Sequence, residues 1–182
     1  MNKKLLISFN VPGDPRGKGR ARSVALRNGD GTLKIKKTRT GKDAAEIRHH
    51  TDSKTRAYEN QVQWLAMEAM KARPVTRLPV VVDITIRVPV PDSWAKWKRE
   101  AAFLDRIMPT VKPDDDNVVK AIKDGLNKVA YHDDEQSVAL NVIKVYALVP
   151  GVGVDVYEVM AAPAQIKNEK QFRALQARFL ES

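Results

Sequence analysis

The stretch Val80-Val-Val-Asp-Ile-Thr-Ile-Arg-Val88 decides the fold class of this chain. Its even-numbered positions are all Val or Ile, whereas Asp83, Thr85 and Arg87 occupy the alternate positions. This period of two predicts a β-strand that buries one face and leaves the other polar. The chain therefore contains a sheet, and the segments around the strand must cover its apolar face.

Helical and extended patterns alternate around this strand. We predict strands at 4–11, 138–149 and 154–160 and helices at 54–73, 93–104, 116–129 and 169–180. Pro150-Gly151 between the last two strands predicts a hairpin. Leu33 to Thr38 is a further short strand candidate in a basic segment with no clear pattern. Strands mixed with helices predict an α+β single domain with a mixed β-sheet packed with helices, over 1–162 with the basic loop region 12–53 included, followed by a helical extension at 163–182.

The positive charge is concentrated near the N-terminus. The chain carries a formal net charge of +10, and residues 1–60 hold 15 Lys and Arg against 6 Asp and Glu. Such a distribution suits a surface that binds phosphates, although a solvated basic arm would have the same composition. The candidate DNA-contacting residues are Lys18, Arg20 and Arg22 in a glycine-containing loop, followed by Lys36, Lys37 and Arg39.

Other compositional features exclude several classes of site. The chain has no cysteine, which excludes disulfides, zinc–thiolate sites and thiol nucleophiles and fits a reducing cytoplasm. No segment approaches the roughly 20 apolar residues of a membrane span, so no membrane partner is expected. Gly13 to Gly19 lacks the spacing of a phosphate-binding P-loop, so no nucleotide cofactor is expected either.

Two acidic segments interrupt the otherwise basic chain: Lys112-Pro-Asp-Asp-Asp-Asn-Val-Val-Lys120 and Tyr131-His-Asp-Asp-Glu-Gln136. Asp114 to Asp116 fall at the predicted start of a helix, where an aspartate often serves as a cap. One helix start needs one cap, and three adjacent carboxylates repel unless a cation neutralises them. Lys120 follows Asp116 at i+4 on the same helix face, suited either to a plain ion pair or to contact with a phosphate.

Asp133 and Asp134 follow the predicted helix, either as an ordinary polar turn or as part of the same site. Carboxylates without His or Cys suit Mg²⁺ or Mn²⁺ rather than zinc. The pattern does not distinguish one ion from two. An EF-hand loop is excluded, because Val119 and Gly125 stand where that loop requires Gly and Glu.

These residues resemble the signature of the RusA family of Holliday-junction resolvases. Asp114-x-Asp116-Asn117-x-x-Lys120 and Tyr131-x-Asp133-Asp134-x-Gln136 match the two parts of that signature. The resemblance implies a RusA-like fold and a homodimeric, Mg²⁺-dependent endonuclease that nicks two symmetric strands of a four-way DNA junction in recombination and repair. It also implies that Asp114, Asp116 and Asp134 are the essential metal-binding carboxylates, Lys120 the essential lysine and Asp133 a supporting acid.

Other functions share much of this pattern. A protein that binds junctions or other branched DNA without resolving them needs the basic surface, but it gains nothing from carboxylates that face phosphates. A nuclease that acts on flapped or other branched DNA would have the same chemistry with a different substrate. A divalent-ion buffer is disfavoured by the basic first third.

Overall fold

A computed structural model describes residues 2–19, 22–50, 52–160 and 168–173. In chain order its strands and helices are β1 (Lys3–Pro12), β2 (Arg22–Ala25), β3 (Ile35–Lys37), β4 (Asp43–Ala45), β5 (Ile47–His50), α1 (Ser53–Met70), β6 (Val80–Pro89), α2 (Lys96–Phe103), α3 (Asp115–Leu126), β7 (Ser137–Ala147) and β8 (Gly151–Val159). The predicted α+β class with a mixed sheet is confirmed. No helix in these ranges is both long and apolar enough to cross a bilayer.

The main sheet has the strand order β1-β8-β6-β7. β8 pairs antiparallel with both β1 and β6, whereas β6 and β7 are parallel. The connection from β6 to β7 is a crossover that contains α2 and α3, as a parallel pair requires. Along the chain, α3 and the loop that follows it therefore come between β6 and β7. Both acidic segments belong to this crossover.

The core forms where α1 and α3 pack against the apolar face of the sheet. The predicted alternation of β6 is confirmed, since the side chains at Val80, Val82, Ile84, Ile86 and Val88 are buried. α1 contributes Tyr58 and Val62 to the same cluster, and α3 contributes Ile122 and Leu126. On the other face Asp83 is half-buried, and its carboxylate accepts a hydrogen bond from Asn141 Nδ2 at 2.7 Å.

The predicted hairpin between the last two strands is wrong. β7 and β8 run in opposite directions, but β6 lies between them and hydrogen-bonds to both. Residues 148–150 carry the chain past the end of β6 at Pro89. A Pro-Gly turn reverses the chain without specifying which strand lies beside it, and here the long-range pairing with β6 decides.

The predicted helix at 54–73 is present with different ends. Asp52 is the N-cap, and its carboxylate accepts the Thr55 N–H at 3.3 Å. The helix ends at Met70, before Lys71 adopts a left-handed conformation with φ of 47°. The guanidinium of Arg73 then donates hydrogen bonds to the carbonyls of Ala69 and Met70, which satisfies groups that a helix end leaves free.

The other predicted bounds also shift. The helix predicted at 93–104 begins at Lys96, and the helix predicted at 116–129 spans Asp115–Leu126. The basic segment contains two small ribbons, β2 with β5 and β3 with β4, and the predicted strand at 33–38 is reduced to β3. Residues 169–173 are helical; residues 163–167 and 174–182 of the predicted extension lie outside the described residues.

Gly125 is required for the contact between α1 and α3. A Cβ at this position would lie 2.5 Å from Cγ1 of Val62 on α1. We expect Gly125→Ala to lower the free energy of unfolding by about 1–3 kcal/mol through overpacking, despite the gain in helix propensity. Urea unfolding monitored by circular dichroism measures the change as a lower midpoint at constant slope. Gly29→Ala is the control, because no atom lies within 4 Å of a Cβ there; equal stability of the two variants would contradict the packing argument.

Candidate active site

The start of α3 presents its aspartates to solvent rather than using all of them as caps. Asp114 is the N-cap residue, but its carboxylate accepts no hydrogen bond from the backbone of the first turn. Its nearest side-chain partner is the Asn117 amide, with Nδ2 3.5 Å from Oδ2. The carboxylate of Asp115 accepts the N–H of Asp116 at 3.0 Å. Capping therefore does not account for the Asp114 carboxylate, which lies exposed at the positive end of the helix dipole.

An acidic cleft of about 500 Å³ runs along the exposed face of α3. It brings Asp116 from the first helical turn together with Asp134 from the second acidic segment. The cleft is lined by Asp115, Asp116, Val119, Lys120, Lys123, Asp124, Asp134, Leu140 and Val142. Asp116 and Asp134 line the same cleft because the crossover returns the chain past α3 before β7 begins.

Lysines neutralise the carboxylates of the acidic cleft. Lys120 Nζ lies 3.4 Å from Asp116 Oδ2, and Lys123 Nζ lies 3.4 Å from Asp134 Oδ2. Both pairs are partly exposed, so each contributes little to folding stability. The same carboxylates are free to exchange a lysine for another cation, because only a modest interaction must be broken.

Lys18 reaches the far end of the acidic cleft from the N-terminal loop. Its ammonium forms an ion pair with Asp124, and it lies 3.4 Å from Glu59 Oε1 on α1. The hydrogen bond to Asp124 raises the pKa of Lys18 above its usual value, although burial opposes the change. Lys18 thus joins the loop to α1 and α3 in this structure.

The second acidic segment is anchored on both sides of its aspartate pair. Tyr131 is fully buried, and burial raises the pKa of its hydroxyl above its usual value. The side chain of Gln136 accepts the N–H groups of His132 at 2.8 Å and Asp133 at 3.0 Å. It also donates to the carbonyls of Thr76 at 3.2 Å and Leu78 at 2.9 Å, just before β6. One amide thereby ties the Asp133–Asp134 segment to the sheet.

The first acidic segment has an anchor of its own on β7. The ammonium of Lys144 donates to the carbonyl of Val111 at 2.9 Å and to that of Pro113 at 3.2 Å. These carbonyls belong to the residues that lead into Asp114. Lys144 thus holds the approach to α3 against the sheet.

The structure places the predicted catalytic residues in three different surroundings. Asp116, Lys120 and Asp134 share the acidic cleft. Asp114 lines an adjoining cleft on the other side of the start of α3. Asp133 is exposed and lines neither cleft; its pKa is lowered, chiefly by a hydrogen bond with the Asp134 side chain and then by the Glu135 backbone.

The candidate DNA-contacting residues are dispersed. Lys36 and Lys37 lie on β3 and Arg39 in the turn after it, all exposed, and Lys37 pairs with Asp43 at 3.1 Å. Lys18 is engaged as described above. Arg22 begins β2, and Arg20 lies outside the described residues.

The donor chemistry of the acidic cleft fits a hard divalent cation. Its candidate ligands are carboxylate oxygens, the donors that Mg²⁺ and Mn²⁺ prefer. In the described part of the chain, no three His, Asp or Glu side chains are grouped so that they could hold an ion. Asp116 and Asp134 are directed toward the ammonium groups of Lys120 and Lys123 instead of toward each other. This pairing explains why no such group is formed.

Comparison with known proteins identifies the family. A family model described as Endodeoxyribonuclease RusA matches residues 12–157, which include α1, β6, α3, β7 and both acidic segments. The chain belongs to this family. It is also 35% identical over 159 residues to a protein of Bacillus subtilis (strain 168) described as uncharacterized protein YqaN, covering 85% of this chain and 98% of that one. As a RusA family member, the protein belongs to a group of endodeoxyribonucleases.

Three residues of the candidate site are not predicted from the sequence. Lys123 follows Lys120 at i+3 on the same helix, and this spacing is the signal that could identify it. Gln136 belongs to the family signature, but its anchoring contacts depend on the fold. Lys144 has no local signal, since a lysine on a half-exposed strand is common.

Proposed function

We propose that this protein is a Mg²⁺-dependent, structure-selective endonuclease that resolves four-way DNA junctions by paired symmetric nicks, in DNA recombination and repair. Membership of the RusA family supports endonuclease chemistry. The assignment to four-way junctions rests on the match of both acidic segments to the RusA signature, and the net charge of +10 suits a nucleic-acid substrate.

One observation carries the proposal. Asp116 and Asp134 come from separate segments, yet they line one cleft together with Lys120. Carboxylates that face solvent in a protein with a net charge of +10 would weaken DNA binding if they had no chemical role. Their retention at the surface favours a hydrolytic site over a binding surface alone.

Asp114, Asp116 and Asp134, with Asp133 in support, are the residues that would hold Mg²⁺, and Mn²⁺ is a possible substitute. Binding one ion requires these side chains to turn toward each other, because no three of them are grouped for an ion in the described residues. A bound divalent cation supplies an activated water and stabilises the charge that develops on the phosphate during in-line displacement. Asp114 lines the adjoining cleft rather than the acidic cleft, so it would approach the cation from the start of α3.

Lys120 would supply the positive charge from the protein itself. Its side chain is 61% exposed and its pairing with Asp116 spans 3.4 Å. The ammonium is thus able to turn to a non-bridging phosphate oxygen with little loss of stability. A positive charge placed there stabilises the transition state more than the ground state, which is the requirement for a catalytic contact.

Nicking of a synthetic four-way junction tests the proposal. Each strand carries its own label, and linear duplex and flap substrates serve as controls with and without Mg²⁺. We expect paired nicks at symmetric positions that require the cation. Junction binding without nicking in Mg²⁺ or Mn²⁺ would favour a junction-binding protein, and preferential cleavage of the flap would retain the chemistry but change the substrate.

We also propose a homodimer, because two symmetric nicks call for two sites related by a two-fold axis. Sedimentation velocity at micromolar concentration is expected to show a dimer in the presence of an uncleaved junction. A monomer under every condition, with and without DNA, would contradict this assembly.

A further inference from the structure

A second cleft, of about 600 Å³, adjoins the acidic cleft across the start of α3. Its walls come from the loop 14–19, the beginning of α1, the end of β6 and the segment that leads into α3. Asp114 and Asn117 form its border with the catalytic residues. It is lined by Asp14, Pro15, Arg16, Gly17, Lys18, Gly19, Asp52, Lys54, Thr55, Val88, Pro89, Lys112, Pro113, Asp114 and Asn117.

The loop that forms one wall of this second cleft is held in place by both helices. The N–H of Lys18 donates to the Asn117 carbonyl at 2.8 Å, and the N–H of Gly19 donates to Thr55 Oγ1 at 3.3 Å. A Cβ at Gly17 would lie 2.7 Å from Cβ of Asn117, so glycine permits the close approach to α3. The wall is therefore built against α1 and α3 before any ligand arrives.

Three cations of the second cleft are available to a ligand. Arg16, Lys54 and Lys112 come from three separate segments and are exposed, and no side-chain ion pair or hydrogen bond engages them within the described ranges. Lys18 differs, because its ammonium is paired with Asp124 and Glu59. The free cations thus lie beside Asp114 and not along the acidic cleft.

The carboxylates of the second cleft do not cancel these cations. Asp52 is occupied as the N-cap of α1 through the Thr55 N–H. Asp114 belongs to the catalytic set, which leaves Asp14 as the remaining acid of the lining. The second cleft also receives the beginnings of α1 and α3, whose dipoles add to the positive potential.

We infer that the second cleft binds the sugar–phosphate backbone of the DNA strand next to the phosphate that is cut, through Arg16, Lys54 and Lys112. Exposed cations without protein partners are suited to contact backbone phosphates, which position a nucleic acid without reading its sequence. This inference rests on the proposed nuclease function, and it assigns the strand's path to one side of α3.

Salt-dependent junction binding by the triple variant R16A/K54A/K112A tests the assignment. The assay uses EDTA, so no cleavage takes place. Loss of three phosphate contacts is expected to weaken binding about 10- to 100-fold and to reduce the slope of log affinity against log salt by roughly two to three. The three side chains are exposed, so the circular dichroism spectrum and melting temperature should stay those of the wild type.

Lys96→Ala is the matched control, since Lys96 lies outside this cleft on α2 with its side chain 92% exposed. It is expected to retain wild-type affinity and salt slope. Wild-type affinity and slope in the triple variant would overturn the inference. A wild-type protein that binds junctions through this cleft but never nicks them would overturn the proposed function while leaving the phosphate-binding assignment intact.

Discussion

Asp116→Asn is expected to lower the rate of junction nicking by at least about 100- to 1000-fold, a loss typical of removing a group that stabilises developing charge. Asparagine keeps the shape of the side chain but removes the charge that would hold a divalent cation. It also removes the partner of Lys120, which lies 3.4 Å from Asp116 Oδ2. Single-turnover nicking over a range of Mg²⁺ concentrations measures the loss.

Junction binding by Asp116→Asn should not be weakened along with nicking. Removal of a surface carboxylate reduces repulsion of phosphates, so junction affinity in EDTA is expected to stay equal or to increase. Asp115→Asn is the control, because Asp115 lines the same cleft but is absent from the family signature. Full nicking by Asp116→Asn, or equal losses in both variants, would remove Asp116 from the catalytic set.

Gln136→Leu is expected to lower kcat by about 10- to 100-fold with little change in KM, because misplacement of a catalytic group by about 1 Å is enough for such a loss. Leucine has a similar size but cannot form the contacts with His132, Asp133, Thr76 and Leu78. The Asp133–Asp134 segment would then lose its connection to the segment before β6. Steady-state kinetics well below the melting temperature separate this effect from unfolding.

The metal dependence distinguishes a positioning role from a structural one. If Gln136 positions Asp134, the variant should need more Mg²⁺ for half-maximal rate, whereas lower stability alone would not move that concentration. Gln63→Leu, at an exposed position of α1, is the control with expected wild-type kinetics. Unchanged kcat and metal dependence in Gln136→Leu would show that the amide contacts are dispensable.

Local pattern was sufficient for the elements that carry the site. The alternation from Val80 to Val88 identifies β6 and its buried face because side chains of a strand alternate between two sides of a sheet. The spacing of apolar residues in 116–129 identifies α3, with its end displaced. The carboxylates and lysine at Asp114, Asp116 and Lys120 follow from the same short segment, and so does the family resemblance.

Contacts between distant segments could not be read in this way. Pro150-Gly151 indicates a reversal of the chain. The position of β6 between β7 and β8, however, depends on the hydrogen bonds that β6 forms with both strands, which are distant from it in the sequence. The sequence predicts that Lys18 contacts phosphate, whereas in the folded protein its ammonium pairs with Asp124. Gln136 gains its four backbone partners for the same reason.

The sequence alone thus determined the α+β class, the two acidic segments and the resemblance to RusA nucleases, because each depends on residue type and short-range spacing. The tertiary structure decided the strand order, which carboxylates share a cleft and which cations remain free beside Asp114. Those properties depend on the packing of α1 and α3 against one sheet. That packing joins side chains from segments that have no local relation to one another.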